Sequence, residues 1–380
     1  MKVMIVVTHL LGAGHLSRAL TLARTFAEQG HSAAVVSGGR PVPHFDRTGV
    51  DVIQLPPLQS DGVNFSRLLT ANGDVAADEY LKSRQTCLLE ALFNYHPDVL
   101  ITELYPLGRR GLRDEFMRLL KAAKSMTSPP LVLSSIRDIL APPSKPERVQ
   151  AADETVNRYY DAVLVHSDPR VTPLDQSWPV TPALQKKLYY TGYVAPAASG
   201  PHPDAVGTNE VLVSAGAGPV GEALFEAAIA AAHLATDQVW RILVGGTDPE
   251  GRIKRLRSLS GDSTAIIEPV RPDFRHMLYH TACSVSMCGY NTALDLLQSG
   301  CPAVFVPFDD GGEVEQTLRA QSLTRMSSVK VIKTDQLTAD TLMKAVSEIA
   351  GKRRIPGAGL HMDGANETVK TVMSLMKVRP

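Results

Sequence analysis

The feature that most constrains this chain is a rhythm. Short apolar, β-branched runs alternate with helix-length stretches, the pattern stops, and then it starts again. Runs at 3–7, 33–36, 52–55, 99–102, 131–134 and 162–165 read as strands, and 17–29, 76–93 and 113–124 read as helices. Strands alternating with helices predict βαβ units and a parallel sheet covered on both faces. At 195–204 the sequence becomes APAASGPHPD, and Pro and Gly break helices and strands alike. Strand patterns resume at 211–214, 240–244, 265–267, 283–286 and 303–306, with helices at 222–234 and 291–298 and an amphipathic tail at 365–377. The expected architecture is α/β: two Rossmann-like domains facing across a cleft, the first at 1–192, a linker at 193–208, the second at 209–360. A last helix at 361–380 is expected to return to the first domain.

The composition excludes several function classes. The 380 residues carry 39 Lys+Arg and 39 Asp+Glu, so the formal net charge is zero and a polyanion such as nucleic acid is not the expected partner. Cys87, Cys283, Cys288 and Cys301 form no CxxC pair and have no His cluster at metal-ligand spacing, so reduced thiols and no metal site are expected. The opening MKVMIVVTHL lacks a basic lead and a small-residue cleavage site, and reads as a strand rather than a signal peptide. No run reaches the ~20 apolar residues that span a bilayer. The expected location is cytoplasmic, with peripheral contact at the inner membrane face left open by apolar residues near Leu68 and Leu69.

Two Gly-rich loops follow first strands. In the first, Gly12-Ala13-Gly14-His15 opens a helix but lacks the third glycine of GxGxxG. Ser37-Gly38-Gly39 stands where a dinucleotide-binding fold would carry an acidic residue. Both departures argue against a dinucleotide. His15, at the helix start, is placed for general-base work near neutral pH; it equally fits a packing role at the turn, with Ser17 or Arg18 meeting solvent. In the second, Ser214, Gly216 and Gly218 can present backbone N–H groups to an anion at a helix N-terminus. Downstream, Asn291 or Thr292 can cap the next helix, and Asp295 lies one turn in, able to accept from ribose hydroxyls or to face the helix dipole. Residues 306–316 end in Glu315 and Gln316, groups suited to sugar hydroxyls or to a solvated turn.

Together, Gly12–His15, the GYNTALD segment at 289–295, the apolar run at 300–307 and Glu315-Gln316 resemble the family 28 glycosyltransferases. These include the peptidoglycan N-acetylglucosaminyltransferase that acts on a lipid-linked acceptor. The GxGHLxR start resembles a bacterial branch of the family. The resemblance implies a GT-B fold, a nucleotide-diphosphate sugar donor such as a UDP-sugar, inversion at the anomeric carbon, and neither cofactor nor essential metal. It implies that the loop with Ser214, Gly216 and Gly218, together with Gly289, Asn291 and Thr292, holds the diphosphate. Val270 and Arg271 would edge the base, and Glu315 and Gln316 would bind the sugar. The family usually has Glu where this chain has Asp295, which loosens the expectation for the base.

The expected mechanism follows from this reading. Backbone donors stabilise the leaving diphosphate. His15 takes the acceptor proton, and Glu103, at the end of the fourth strand, orients it or is itself the base. Gly14, Arg109, Arg110 and Arg137 are the candidate acceptor contacts, with Asp138, His166 and Asp168 behind them. The acceptor class stays open between a lipid-linked saccharide, a polysaccharide end and a small metabolite. Rival readings are a nucleotide-sugar hydrolase or 2-epimerase, and a non-catalytic nucleotide-sugar-binding module.

Overall fold

The N-terminal run becomes β1 (Lys2–Val7), and its alternation decides how the first sheet is covered. Val3, Ile5 and Val7 enter one apolar cluster, Met4 and Val6 the opposite one. Side chains of a strand alternate between faces, so a strand apolar at every position needs cover on both. The computed structural model describes residues 1–10, 12–43, 45–60, 67–216, 218, 220–246, 248–309, 314–353, 355–357 and 359–379. It divides into two units, Met1–Ala195 with His361–Pro380, and Pro196–Leu360.

Unit 1 runs through α1 (Gly14–Glu28), β2 (Ser32–Ser37), β3 (Val50–Gln54), α2 (Asp78–Tyr95), β4 (Val99–Glu103), α3 (Arg113–Ser125), β5 (Leu131–Arg137), α4 (Pro146–Tyr159), β6 (Ala162–His166), α5 (Pro182–Gln185) and β7 (Leu188–Tyr190). Its sheet has the order β3-β2-β1-β4-β5-β6-β7, and each described pairing is parallel. Helix α1 buries Leu16, Ala19, Leu20, Ala23 and Phe26 against one face. Each large apolar side chain removed from water there contributes about 1.5–3 kcal/mol.

Unit 2 comprises β8 (Val211–Ser214), α6 (Glu222–Leu234), β9 (Trp240–Val244), α7 (Pro249–Ser260), β10 (Ala265–Pro269), α8 (Phe274–Met277), β11 (Cys283–Ser286), α9 (Tyr290–Ser299), β12 (Ala303–Phe305), α10 (Glu315–Leu323), β13 (Val329–Val331) and α11 (Ala339–Ile349). Its order is β10-β9-β8-β11-β12-β13, again parallel throughout the described pairings. The last helix, α12 (Gly364–Lys377), belongs to unit 1, where Val369 and Val372 join the α1 cluster. The expected return of the tail is thus observed.

The stretch expected to be a linker is not free chain. Tyr193 and Val194 are buried in unit 1. In unit 2, the Pro196 carbonyl accepts from Gln298 at 2.9 Å, and His202, 8% exposed, bonds Asp273 at 3.0 Å. Composition marks the break in secondary structure, but these polar contacts fasten the segment. Among the described residues no helix is long and apolar enough to cross a membrane.

In both sheets the strand order reverses beside the first strand, between β1 and β4 and between β8 and β11. Open parallel sheets bind ligands at such switch points, beyond the carboxyl ends of the strands.

Candidate functional site

At the first switch point, the loop after β1 leads into α1, and β4 ends in Glu103. The two strands are neighbours, which brings His15 within 2.7 Å of Glu103, Nδ1 to Oε1. Glu103 is not a solvated rim carboxylate: it is 1% exposed. The guanidinium of Arg18, one helical turn beyond His15 and 3% exposed, donates to the same Oε1. Arg18 therefore faces the carboxylate rather than solvent, a correction that follows from the counter-charge β4 supplies.

The electrostatics of this cluster fix protonation states. Burial alone would raise the Glu103 pKa; the neighbouring His15 and Arg18 outweigh it and hold the carboxyl well below the usual range. His15 is pushed down from 6.5 to about 4, first by burial, with Glu103 opposing and the charges of Arg109 and Arg137 assisting. At neutral pH the pair is a carboxylate and a neutral imidazole. A carboxylate can only accept, so the proton sits on Nδ1 and the Nε2 lone pair is left for another partner. No described residue bonds Nε2, and the side chain keeps 14% exposure. The arrangement can take a proton from a hydroxyl.

Arg109 and Arg137 thus lie within electrostatic reach of His15. Arg109 sits in the left-handed region at φ 54 after the turn that follows β4, and Arg137 ends β5. Arg110 is exposed at the start of a short 3-10 turn, and its pKa is held down by burial and by Arg148; it is not brought to the cluster. Gly14 opens α1 beside His15, in a loop whose Leu11 lies outside the described residues. His166 is fully buried, Nε2 2.8 Å from Ser135 Oγ and Nδ1 2.8 Å from Thr191 Oγ1, a packed support rather than a contact for ligand. Asp168 holds Arg170 and the backbone N–H of His361, and Asp138 accepts from the N–H of Ile139. His9, which no motif marks in the sequence, is 3% exposed, and its pKa is lowered chiefly by burial, with a hydrogen bond to the Arg40 backbone opposing.

The second switch point carries the other glycines. After β8, the N–H of Gly216 donates to Ser214 Oγ at 3.1 Å, and Gly216 lies at φ 80, where a side chain would strain the turn. Among the described atoms, a Cβ at Gly216 or Gly289 would meet nothing within 4 Å, and one at Gly218 only Val220 Cγ2 at 3.8 Å. The space beside these glycines is open, so a ligand can approach the backbone closely, although the Gly216 N–H is itself held by Ser214. Ala217 and Pro219 in this loop lie outside the described residues. After β11, helix α9 is capped by Gly289 itself, with no side-chain cap; Asn291 and Thr292 fall inside the first turn, which corrects the capping expected of them.

Other expected donor contacts are already engaged. Asp295 accepts from Arg275 Nε at 2.8 Å, and burial, opposed by Arg275, raises its pKa to about 6. Arg275 also donates to Gln298 at 2.9 Å and to the Ala197 carbonyl at 2.8 Å, so this pair fastens the 196–197 segment. Val270, past the end of β10, is 40% exposed. Arg271 is clamped by Asp273 at 2.8 and 2.6 Å. Glu315, 8% exposed, pairs with Arg319 at 2.8 Å, and Arg319 donates to the Cys288 carbonyl at 2.9 Å. Gln316 Oε1 accepts from the N–H of Phe308 at 3.2 Å. Asp310, Gly311, Gly312 and Glu313, between them, lie outside the described residues.

Residues 223–369 match the Glycosyltransferase family 28 C-terminal domain. The chain is a glycosyltransferase whose C-terminal part is family 28-like. The match contains Val270, Arg271, Gly289, Asn291, Thr292, Asp295, Glu315 and Gln316, but not the loop with Ser214, Gly216 and Gly218 or the His15 cluster. No curated protein sequence matches the chain. Solved structures share the glycosyltransferase's GT-B fold. MurG of Acinetobacter baumannii is similar over 98% of this chain and 99% of its own, at 16% identity and a TM-score of 0.64. The calicheamicin glycosyltransferase CalG4 is similar over 98% and 94%, at 16% identity and 0.59. Phytolacca americana UGT2, complexed with UDP-2-fluoro-glucose and pterostilbene, is similar over 99% and 93%, at 14% identity and 0.62. At these identities the likeness speaks to fold.

Proposed function

We propose that the enzyme transfers a sugar from a UDP-sugar to an acceptor hydroxyl in a single displacement that inverts the anomeric carbon, without an essential metal. One observation carries the reading: a neutral His15 whose Nδ1–H is held by a buried, ionised Glu103, leaving Nε2 to accept a proton. In the proposed step Nε2 takes the acceptor O–H proton as that oxygen bonds the anomeric carbon. The bond from that carbon to the diphosphate oxygen breaks, and the nucleoside diphosphate leaves with the electron pair. General-base assistance of this kind contributes about 10²–10⁴-fold. Backbone N–H groups at Gly218 and the α9 N-terminus would receive the diphosphate charge, which is the support for metal independence. The UDP assignment draws on relatives of the same fold: UGT2 with UDP-2-fluoro-glucose and TcCGT1 in complex with UDP, against VinC with dTDP. The four cysteines are free, which fits a reducing cytoplasm.

The test is calorimetric titration with UDP, dTDP, GDP and ADP, each with and without chelator, on the wild type and on His15→Asn. Tight UDP binding that survives chelation and the substitution supports the donor site. A UDP-sugar and acceptor screen then reads transfer and the product anomer by NMR. Transfer undiminished in His15→Asn removes the base, and retention of the donor's anomeric configuration removes the single displacement.

A further inference from the structure

The proposed base depends on a carboxylate that burial opposes. Glu103 is 1% exposed, and a carboxyl taken out of water favours its protonated form. A protonated Glu103 would donate its own proton to His15 Nδ1. The imidazole would then carry its hydrogen on Nε2, and the atom facing the acceptor would be a donor, not a base. The switch takes up one proton from solvent and leaves the pair uncharged.

We propose that Arg18 is a positioning residue that sets the His15 tautomer: its buried guanidinium, hydrogen-bonded to Glu103 Oε1, holds that carboxylate ionised so that it accepts Nδ1–H and leaves Nε2 basic. The geometry is specific. His15 and Arg18 are three residues apart on α1, so one face of one helix sends both side chains to the same oxygen. Arg18 is 3% exposed, and a guanidinium stays charged at any working pH. Its nitrogen lies 3.4 Å from His15 Nδ1 itself, so its charge also disfavours an imidazolium there. The other charged or titratable groups acting on the pair are Arg109 from the turn after β4 and Arg137 from the end of β5. His166 on β6 and His9 after β1 feel Glu103 and are themselves held neutral. Among the described residues, Arg18 is the cation hydrogen-bonded to the carboxylate.

The inference rests on His15 as the base, but its test needs no substrate. Ring-¹⁵N histidine is introduced, and the His15 tautomer and titration are read from long-range ¹H–¹⁵N spectra in the wild type, Arg18→Met, Arg18→Gln and Arg18→Lys. Fluorescence confirms the fold of each. The wild type should show Nδ1–H at pH 7.5. Arg18→Met should show mainly Nε2–H, and Arg18→Gln, which keeps hydrogen-bonding capacity without charge, should do the same and stands in if the Met variant does not fold. Arg18→Lys should restore Nδ1–H. An unchanged tautomer in a folded uncharged variant overturns the proposal, as does a Lys variant that matches Met. Loss of the base reading itself would appear separately, as transfer that survives His15→Asn.

Discussion

Acidification from pH 8 to pH 5 should destabilise unit 1 by an amount that two histidines largely set. His15 has a folded pKa of about 4 and His166 of about 3, against 6.5 for the exposed group, and burial is the first cause in both. Because the folded values are depressed, the unfolded chain takes up these protons first. The stabilisation is complete above pH 6.5, is lost as pH falls, and levels off only below the folded values. At pH 5 each histidine withdraws about 2 kcal/mol, so the pair withdraws about 4 kcal/mol. His9, lowered by burial, adds in the same direction. Carboxylates with depressed values in this unit, such as Glu103 and Asp168, ionise normally above about 4.5 when unfolded and contribute little at pH 5. Domains are stable by about 5–15 kcal/mol, and a urea slope near 2 kcal/mol per molar converts the loss into a midpoint roughly 2 M lower. Each unit has one of the chain's two tryptophans, Trp178 in unit 1 and Trp240 in unit 2, both 1% exposed. Urea unfolding of Trp240→Phe, followed through Trp178, reads unit 1. Adding His15→Gln should remove about half of the pH effect. A midpoint that does not move between pH 8 and pH 5, or a His15→Gln variant that loses as much as its parent, would refute the reasoning.

Other outcomes follow from the same geometry. Glu103→Gln should lower kcat by about 10²–10⁴-fold with donor KM little changed, measured as nucleoside diphosphate release, because the amide no longer fixes the tautomer. Gly221 sits at φ 104, where an added Cβ would lie 2.3 Å from Ala215 Cβ. Gly221→Ala should therefore cost more than about 1 kcal/mol in urea unfolding and weaken UDP binding by calorimetry. Asp295, raised to about 6, has the opposite pH sign from the histidines. Its folded form binds a proton more readily than the unfolded, so unit 2, read through Trp240 with Trp178→Phe, should gain about 1 kcal/mol between pH 8 and pH 5, and Asp295→Asn should abolish that gain.

What the sequence reveals depends on where the information lies. Helix α6 and strands β8, β9 and β11 appear at their expected bounds, because their apolar runs are long or sharply punctuated. Helices α4 and α7 do not stand out, since each buries only three side chains, Ala152, Val156 and Tyr159 in one, Ile253, Leu256 and Ser260 in the other. Little periodicity survives at that density. Glu103 is legible as a strand-end group and His15 as the start of the helix that follows the first strand, and the βαβ rhythm makes the two strands plausible neighbours. Arg18 is not legible as a buried cation. Its partner lies 85 positions away, and only the pairing of β1 with β4 brings that charge to it. Likewise Asp295, Glu315 and Arg271 look like ligand-facing polar groups until Arg275, Arg319 and Asp273 are seen to hold them.

The return of α12 to unit 1 has a consequence for the order in which the protein can be made. Unit 2 is one continuous stretch, 196–360, inserted into a unit 1 that is interrupted by it. A chain emerging from the ribosome holds every residue of unit 2 before it holds the last helix of unit 1. Until then the apolar cluster around Phe26 lacks Val369 and Val372. Unit 2 can therefore complete its core during synthesis, whereas unit 1 must wait for α12, and its exposed α1 face is the surface that the cell has to keep from aggregating in the interval.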